Sequence, residues 1–495
     1  MLFLTADMLK RAEKKAMENV SAAQLIENAA KACFKYVKAF DSVCVFCGKG
    51  NNGSDGYATA ILLKKAGKKV DIIQVFEPES PECIEFARKA EEENIFISPP
   101  GMIPSGEFEC IIDAIFGIGI NGAVTGIAEQ VISYINASDS YVVSADIPSG
   151  MNADTGKYEG ACVRADKTVT FTAPKYGMMS NESVDVCGDI SVENVGIMAD
   201  YSLADPSVCV PLEKRLVKSL IPKRSRLSHK GVFGTVVMIA GCFGMAGAAA
   251  MAADAAYRSG CGLVKIIAPR SICPLLNIMV KEAVLIPLPE KDGKILSVLT
   301  DEVKKAVSSA DSVLIGCGLG VNADAKLIND VLSHASSDVI IDADGINALV
   351  GHLDIVRNKN VILTPHPLEF SRISGIPVNE IEKDRIDVAD NFAREYGVTL
   401  LLKGARSVIV YGGEHKYVSV KATSALAKAG SGDILSGVIA SFCAQGISLT
   451  DSAAAACYIH TYAGMLAERE IGSYGVKADD ILRMLPRAIR EVMGA

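Results

Sequence analysis

Residues 424–446 read SALAKAGSGDILSGVIASFCAQG, and an apolar helix is predicted to begin within them. Four residues lie at the start of that helix: Gly430, Ser431, Gly432 and Asp433. Glycines let the backbone approach a ligand, and the free N–H groups of a first helical turn attract phosphate oxygens. Asp433 is placed to take a proton from a hydroxyl as a phosphoryl group arrives, although it would also suit a helix cap. Because two glycines and a serine precede an uncharged helix, we favour a phosphate-binding catalytic site.

The composition indicates a globular chain of more than one domain. At 495 residues the chain is longer than one core usually allows, so two or three domains are expected. Hydrophobic residues make up 49% and charged residues 22%, and the net charge is −8. No basic stripe is present in the sequence, so neither nucleic acid nor an anionic membrane is expected as a partner.

The 14 cysteines follow no disulfide framework, which predicts a reducing, cytoplasmic environment. Cys44 and Cys47 form a CxxC, the spacing of a redox pair or of half a zinc site. No second pair and no histidine lies near them in the sequence. We therefore interpret both as small core residues on a strand.

Two apolar stretches are interpreted as parts of the fold. Near the N terminus Asp7 appears before any signal-peptide core develops, so this segment is predicted to be an amphipathic helix capped by Thr5. Residues 231–253 carry no charge. Their β-branched start and the GCFG that follows favour a strand, a glycine turn and a buried helix over a membrane span.

Predicted strands alternate with helices along most of the chain, which indicates an α/β fold with parallel sheets covered on both faces. The alternation lapses between about residues 197 and 230, where prolines and basic residues concentrate, and then restarts. We therefore predict two domains, residues 1–208 and 209–495. No internal period recurs, so the second domain is not a repeat of the first.

In the first domain, polar residues follow three predicted strands. The strand VCVFCG leads into KGNNGSDGYATA, predicted to be a loop before a helix and lined by the side chains of Asn51, Asn52, Ser54 and Asp55. Asp113 and Asp146 follow two further strands. The carboxyl ends of parallel strands converge on one crevice, where open α/β sheets bind ligands. This crevice suits a sugar-phosphate or a monovalent cation, whereas an Asn-Gly turn and simple caps are the alternative.

The second domain carries six comparable strings: HKGVFG (229–234), GCFGMAGAA (241–249), GCGLG (316–320), DADGINAL (342–349), TPHPLEF (364–370) and LKGARSVI (402–409). GCGLG predicts a nest of backbone N–H groups after a strand. Asp342 and Asp344 suit a metal or its bound water, or only a turn. His366 lies between two prolines at a strand end, which favours a ligand contact.

Together these strings resemble the bifunctional NAD(P)H-hydrate repair enzymes, in which an epimerase domain of the YjeF type is fused to a nucleotide-dependent dehydratase domain. The N-terminal half matches through LTADM, LIENAA, GKGNNGSDG, DAIFGIG, ADIPSGMNADTG and ADKTVTFTAPKYG. The C-terminal half matches through HKGVFG, GCGLG, DADGINAL, TPHPLEF, LKGARSVI and AGSGDILSG. The chain departs from the family at Ser54 and Ala429, where glycine is common, and in the GCFGMAG loop.

The resemblance implies a Rossmann-like three-layer domain followed by a ribokinase-like α/β domain. The first would interconvert the R and S epimers of NADH or NADPH hydrated at C6 of the nicotinamide ring. The second would dehydrate the S epimer with ADP as phosphoryl donor and Mg²⁺, giving AMP and phosphate. A potassium ion in the first domain and a homo-oligomeric, cytoplasmic enzyme acting on small molecules are also implied.

The resemblance also implies the site residues. Catalysis is assigned to Asp433 and Asp146. The hydrate is assigned to Asn51, Asn52, Gly53, Ser54, Asp55, Gly117, Ile118, Gly119, Ile120, Asn121, Gly122, Ala123, Asp146, Gly318, His366 and Asp433. The nucleotide is assigned to Lys403, Gly404, Ala405, Arg406, Ser407, Gly430, Ser431 and Gly432. Potassium is assigned to Asn52, Asp113 and Ser149.

Two other functions fit the same residues. The second domain suits a small-molecule kinase that keeps its phosphorylated product. The first domain, which has no evident nucleophile, suits a ligand-binding or scaffolding module.

Overall fold

The computed structural model describes residues 2–104, 106–120, 122–198, 209–320, 323–412 and 415–494. The chain divides into two compact units, Met1–Pro211 and Leu212–Ala495. The predicted domain limit at residue 208 lies outside the described residues, and it stays a prediction. Within the described ranges, no helix has both the length and the apolar character needed to cross a bilayer.

The first unit is built on a seven-stranded sheet whose paired strands are all parallel, in the order β3-β2-β1-β4-β5-β6-β7. The strands are Ser42–Cys47 (β1), Lys69–Gln74 (β2), Phe96–Ser98 (β3), Cys110–Ala114 (β4), Tyr141–Ala145 (β5), Lys167–Phe171 (β6) and Asp189–Glu193 (β7). The helices are Ala6–Ala16 (α1), Ala22–Val37 (α2), Asn51–Lys65 (α3), Pro81–Glu92 (α4), Ile127–Ala137 (α5) and Val184–Cys187 (α6).

Apolar clusters cover both faces of this sheet, which makes the unit three-layered as expected. Successive residues of a strand point to opposite faces. Accordingly Cys47 packs in the cluster that holds α2 and α3, whereas Cys44 packs in the cluster that holds α5. Both thiols are fully buried and free. The interpretation of the CxxC as core residues is confirmed, and so is the cap of α1 by Thr5.

The second unit is built on a ten-stranded sheet in the order β11-β10-β9-β14-β15-β16-β17-β18-β19-β8, together with a small hairpin of β12 and β13. The strands are Val210–Leu212 (β8, where the division between the units falls), Thr235–Ile239 (β9), Leu263–Pro269 (β10), Val284–Leu288 (β11), Glu290–Lys291 (β12), Lys294–Ile295 (β13), Ser312–Ile315 (β14), Asp338–Ile341 (β15), Val361–Leu363 (β16), Thr399–Leu402 (β17), Val408–Tyr411 (β18) and His415–Ser419 (β19).

The helices of this unit follow the predicted alternation and end in three C-terminal helices. They are Lys214–Leu220 (α7), Ala246–Arg258 (α8), Cys273–Met279 (α9), Asp301–Ser308 (α10), Ala325–His334 (α11), Asp344–Ala348 (α12), Pro367–Ser374 (α13), Val378–Lys383 (α14), Arg385–Tyr396 (α15), Ser431–Ala444 (α16), Leu449–Ile471 (α17) and Ala478–Met493 (α18). The uncharged stretch 231–253 forms β9, a turn and most of α8, as predicted.

The expectation of purely parallel sheets is wrong at one side of the second sheet. The strands β17, β18 and β19 pair antiparallel. Residues 403–407 connect β17 to β18, and a link of that length cannot carry the crossover that a parallel pair needs. The three-residue edge strands β3 and β8 were not predicted, because such strands carry too few residues to show a pattern. The strand β19, which lies between β18 and β8, was not predicted either.

Candidate active sites

The first unit contains a cavity of about 780 Å³ at the carboxyl ends of its central strands. This is the crevice predicted from the strand ends. Eight of the predicted hydrate contacts line it: Asn51, Asn52, Asp55, Gly117, Ile118, Gly119, Ile120 and Asp146. Gly53, Ser54, Gly122 and Ala123 are not among its lining residues. Asn121 lies outside the described residues.

The GNNGSDG string forms a helix start and not the predicted loop, because α3 already begins at Asn51. Its glycines permit close packing that a side chain would block. A Cβ on Gly53 would lie 2.1 Å from the carbonyl oxygen of Gly48, and one on Gly56 would lie 2.7 Å from the Cβ of Ala114. Gly50 is the N-cap of α3, and no side chain caps this helix. The N–H groups of its first turn are therefore left for a ligand in the cavity.

Asp113 is fully buried at the end of β4 and organises the neighbouring strand end. Its carboxylate accepts hydrogen bonds from the Oγ of Ser144 at 2.7 Å and from the Oγ and N–H of Ser149 at 2.5 and 2.9 Å. Burial raises the pKa of Asp113, and the hydrogen bonds from Ser149 and Ser144 oppose that rise. The carboxylate therefore fixes the loop that carries Ser149.

Asn52 brings the predicted cation residues together. Its Nδ2 donates to the carbonyl oxygen of Phe116 at 2.9 Å, and the Oγ of Ser149 lies 3.4 Å from the same carbonyl. The Oδ1 of Asn52 is buried and has no hydrogen-bond partner among the described residues. A buried amide oxygen without a donor is costly, and a hard cation would satisfy it. The donor set therefore fits a monovalent cation.

Asp146 follows β5 with φ of 68°, a conformation that few non-glycine residues adopt. Its Oδ1 accepts the N–H of Phe171 at 3.0 Å and forms an ion pair with the ammonium of Lys175. Lys175 is only 1% exposed, and its Nζ also donates to the Oγ1 of Thr170 at 2.8 Å. Burial lowers the pKa of Lys175, while Asp146 opposes that shift. The strained backbone thus presents Asp146 to the cavity with its charge balanced.

Sequence reasoning missed Lys175, although the residue lies in the TAPKYG string. A lysine after a strand normally indicates a solvated surface. Its burial and its partner become visible only when β5 and β6 are paired in the sheet.

In the second unit, Asp433 lies in the first turn of α16, as predicted. Gly430 precedes the helix with φ of 90°, which glycine adopts without strain. Burial, and then the neighbouring charge of Asp342, raise the pKa of Asp433 to about 6. A carboxyl group with that pKa is suited to general-base work near neutral pH.

Asp342 is the buried anion beside it. Its carboxylate accepts the Nζ of Lys403 at 2.9 Å, the Oγ1 of Thr364 at 2.8 Å and the Oγ of Ser436 at 2.7 Å. Burial opposes the charge, but Lys403 and the two hydroxyls hold the pKa of Asp342 below its usual value. Burial likewise opposes the charge of Lys403, and Asp342 outweighs it and raises the pKa of that ammonium.

Lys403 therefore has a buried counter-ion. A Cβ on Gly432 would lie 3.5 Å from its Nζ, so the ammonium lies beside the first turn of α16. The cation and the first-turn N–H groups face the same space, which is the arrangement of an anion site. DADGINAL thus supplies a counter-ion through Asp342, whereas Asp344 begins α12 and accepts the N–H of Gly320 at 2.7 Å.

His366 caps α13. Its Nδ1 accepts the N–H groups of Leu368 and Glu369, both at 3.2 Å, and the carboxylate of Glu369 accepts the N–H of His366 at 2.9 Å. Burial lowers the pKa of His366. This cap leaves the other ring nitrogen, Nε2, 3.4 Å from the Oε1 of Glu369. The ring is held in one orientation at the strand end where a ligand contact was predicted.

The matches to known proteins agree with this geometry. Residues 22–177 match a family described as the YjeF-related protein N-terminus, and residues 236–487 match one described as NAD(P)H-hydrate dehydratase. The bifunctional NAD(P)H-hydrate repair enzyme of Dictyoglomus turgidum is 32% identical over 100% of this chain and 99% of its own length. That of Coxiella burnetii is 34% identical over 96% of each chain. This chain belongs to the bifunctional NAD(P)H-hydrate repair enzyme family.

Solved structures resemble the second unit. A hypothetical protein of Streptococcus mutans is 28% identical over 57% of this chain and 100% of its own, with a TM-score of 0.50. The ADP/ATP-dependent NAD(P)H-hydrate dehydratase of Bacillus subtilis, co-crystallised with ATP and Mg²⁺, is 28% identical over 57% of this chain and 99% of its own, with a TM-score of 0.48. The fold is the expected one, a Rossmann-like unit followed by a ribokinase-like unit.

Within this family fold, the segment assigned to the nucleotide is rigidly supported. Arg406 is 1% exposed and donates to the carbonyl oxygen of Val420 at 2.9 Å, so its guanidinium supports the loop from inside. The Oγ of Ser407 donates to the carbonyl oxygen of Gly404 at 2.8 Å. Nucleotide contact by Lys403, Gly404, Ala405, Arg406 and Ser407 stays a prediction.

Two residues behind the dehydratase site were missed. His460, buried in α17, lies 3.2 Å from the Oγ of Ser431 through its Nε2, and burial lowers its pKa to about 4. Cys317 is fully buried, and its Sγ and the carboxylates of Asp342 and Asp433 lie within 4.8 Å of one another. His460 has no local pattern that marks it, whereas Cys317 lies in GCGLG, a string that was interpreted as a nest of backbone N–H groups and not as a source of side chains.

Gly318 follows a strand of the second sheet, whereas the string HKGVFG precedes one. Gly318 has φ of 63°, and a Cβ there would lie 3.0 Å from the carbonyl oxygen of Met245, so GCGLG follows β14 as a tight glycine turn. HKGVFG precedes β9, and a Cβ on Gly234 would lie 2.0 Å from the carbonyl oxygen of Ala444, where α16 ends. That string therefore lies at the other end of α16 from Asp433.

Proposed function

We propose that this chain interconverts the R and S epimers of NAD(P)H hydrate in its first unit and dehydrates the S epimer in its second, with ADP as phosphoryl donor. The observation that carries the proposal is Asp433, a half-buried carboxyl group with a pKa raised to about 6, at the glycine-rich start of α16. Family membership along nearly the whole chain supports both halves of the proposal.

In dehydration, Asp433 accepts the proton of the C6 hydroxyl as that oxygen takes the phosphoryl group. The N–H groups of Gly430 and Gly432 and the ammonium of Lys403 hold the transferring group, because their positive charge faces the developing negative charge. The N–H of Ser431 donates to the carbonyl oxygen of Lys428 at 3.3 Å. Asp342 keeps Lys403 charged and in place. Phosphate then leaves C6 with the electron pair of the C–O bond, assisted by the lone pair of the ring nitrogen.

Mg²⁺ is expected to enter with the nucleotide. The described residues of this unit bring only Cys317, Asp342 and Asp433 together as candidate ligands. A thiol is a poor magnesium ligand, and Asp342 already holds an ammonium at 2.9 Å. These residues therefore do not fit a magnesium cage, and the phosphates of the nucleotide are the better ligands.

Potassium fits the first unit. Asn52 would hold it through the buried Oδ1, with the oxygens of Phe116 and Ser149 nearby and Asp113 fixing Ser149. When bound, the ion would supply positive charge close to the first turn of α3. Asn52, which bonds the carbonyl oxygen of Phe116, would then position Gly117 to Ile120, the segment that follows Phe116.

A single assay tests the proposal. The protein is incubated with mixed hydrate epimers and with ADP, ATP or no nucleotide, and the absorbance of reduced nicotinamide is followed. Full recovery of the reduced cofactor with ADP is expected, since epimerisation feeds the dehydratase. If recovery of the reduced cofactor stops once the S epimer is consumed, the first unit does not epimerise the hydrate. Accumulation of a stable phosphorylated product would favour a kinase that keeps its product.

A further inference from the structure

The first cavity holds more titratable groups than the proposed function has used. Glu13, Asp55, Asp146 and Lys175 all line it. They come from four separate parts of the unit, namely α1, α3, the turn after β5 and the turn after β6. Such convergence on one cavity is not required by packing, since charged groups are expensive to bury.

The two aspartates have opposite surroundings. Asp146 has the ammonium of Lys175 and the N–H of Phe171 as donors, so its negative charge is balanced. No donor among the described residues hydrogen-bonds the carboxyl group of Asp55, which projects from α3 into the same cavity. One carboxyl group is thus ion-paired and hydrogen-bonded, and the other has no hydrogen-bond donor among the described residues.

The charges around Asp55 act in the same direction. Burial, and then the charges of Asp146 and Glu13, raise the pKa of Asp55 well above its usual value, and Lys175 only partly opposes them. The thiols of Cys33, Cys47 and Cys83 also lie within electrostatic range of Asp55. An ion-paired carboxylate and a carboxyl group with a raised pKa in one cavity are the usual arrangement of a base and an acid.

We propose that Asp55 is the acid and Asp146 the base of R-to-S epimerisation, with Lys175 as the residue that positions Asp146. This inference rests on the proposed epimerase function and assigns its proton transfers. Asp55 and Asp146 are the residues that contact the substrate, whereas Lys175 acts through Asp146.

The step balances with water alone. Asp55 gives its proton to the C6 hydroxyl, and the C6–O bond breaks with its electron pair leaving on water. The lone pair of the ring nitrogen forms a C6–N double bond. A second water adds to C6 from the opposite face, the double-bond pair returns to nitrogen, and Asp146 takes the proton of that water. Proton exchange with bulk water then removes the proton from Asp146 and returns one to Asp55, which restores the enzyme. The reverse reaction uses the two residues in exchanged roles.

The dehydration rate of each variant serves as a control, because both activities belong to the same chain. Asp55→Asn and Asp146→Asn are compared with wild type and with Asp41→Asn, an exposed carboxylate of the same unit that pairs with Lys68. Each catalytic variant is expected to lower the kcat of epimerisation by about 10²–10⁴, with dehydration of the S epimer unchanged. Substrate KM should change much less than kcat.

The outcomes separate two failures. If the wild-type protein does not epimerise the hydrate, the proposed epimerase function itself is wrong. Wild-type protein that epimerises while Asp55→Asn keeps its rate within threefold would overturn only the assignment of the acid.

An isotope experiment tests the bond that breaks. Epimerisation in ¹⁸O-labelled water without nucleotide should place one label at C6 for every inversion, because the original hydroxyl leaves. Inversion with retention of the original oxygen would overturn the step, since it requires cleavage of a ring bond.

The positioning role of Lys175 is tested with Lys175→Arg, Lys175→Met and the double variant Asp146→Asn/Lys175→Met. Arginine should restore much of kcat because it keeps a cation beside Asp146. Lys175→Met should lose kcat at every pH, with little change in KM. The double variant removes both charges and should recover thermal stability without recovering epimerisation. Equal activity of Lys175→Met and wild type across the pH profile would contradict the role.

Discussion

The two candidate sites have the same electrostatic plan on different folds. In each, an aspartate and a lysine form an ion pair with one buried and one partly buried partner, Asp146 with buried Lys175 and buried Asp342 with Lys403. In each, a second aspartate nearby has a raised pKa, Asp55 in the first unit and Asp433 in the second. The balanced pair supplies a fixed charge, and the second carboxyl group is left to move a proton.

The difference between the sites lies in the second carboxyl group. The pKa of Asp55 is raised well above its usual value, whereas that of Asp433 is raised to about 6. A group that must donate a proton has to be protonated at working pH, and a group that must accept one has to be ionised. The difference agrees with the proposed roles, an acid in the epimerase cavity and a base in the dehydratase site.

The largest expected effect comes from Asp433→Asn. An amide cannot take the hydroxyl proton, so dehydration should fall by about 10²–10⁴. Epimerisation should be unchanged, because Asp433 lies in the second unit. The measurement is recovery of reduced nicotinamide from the S epimer. Dehydration within tenfold of wild type would show that the two sites do not divide into acid and base.

Lys403→Met tests the fixed charge of the second site. Asp342 would remain buried without its counter-ion, which costs about 3–5 kcal/mol, so the thermal transition of the second unit should fall. Lys403→Arg should retain more stability and more activity than Lys403→Met. If Lys403→Met unfolds at the wild-type temperature, Asp342 is not held by this pair.

The pH dependence of dehydration follows from the raised pKa of Asp433. A base works in its ionised form, so kcat/KM should be level above a pH of about 6 and fall about tenfold per pH unit below it. The stability effect has the opposite sign. Because the folded-state pKa is higher than that of the unfolded chain, the protonated carboxyl favours folding at low pH, and this contribution is lost as the pH rises through about 6.

The variant Asp433→Asn should remove both dependences, and it therefore serves as the control for the pH profile. If the residual activity of this variant falls at low pH with the same limb as wild type, the titration belongs to another group.

The smallest effect is expected from Asn52→Ala. Removing the unpartnered Oδ1 should raise the potassium concentration that gives half-maximal epimerisation by about fivefold, the equivalent of roughly 1 kcal/mol. Ser140→Ala, on a serine that bonds the carbonyl of Phe108, provides a control for loss of a polar side chain. If potassium changes the epimerisation rate of neither wild type nor Asn52→Ala, Asn52 only shapes the strand end.

Much of the fold could be predicted because its signals are local. Runs such as those of β1, β4 and β9 are apolar and bounded by glycine or charge, so each strand is visible by itself. The antiparallel strands after β17 were not, because the direction of pairing depends on the connection and not on the strand. The start of α3 was placed too late, because a glycine-rich string normally indicates a loop and here it serves close packing.

The sequence by itself determined where chemistry would lie: carboxylates at strand ends and glycines before an apolar helix, since these are properties of short segments. Only the tertiary structure decided what each carboxylate does. Lys175 and Lys403 meet their partners across 29 and 61 residues of chain, and Asp55 is enclosed by elements distant in sequence. A proton affinity depends on burial and on nearby charge in three dimensions, so the acid and the base become distinguishable only when the chain is folded.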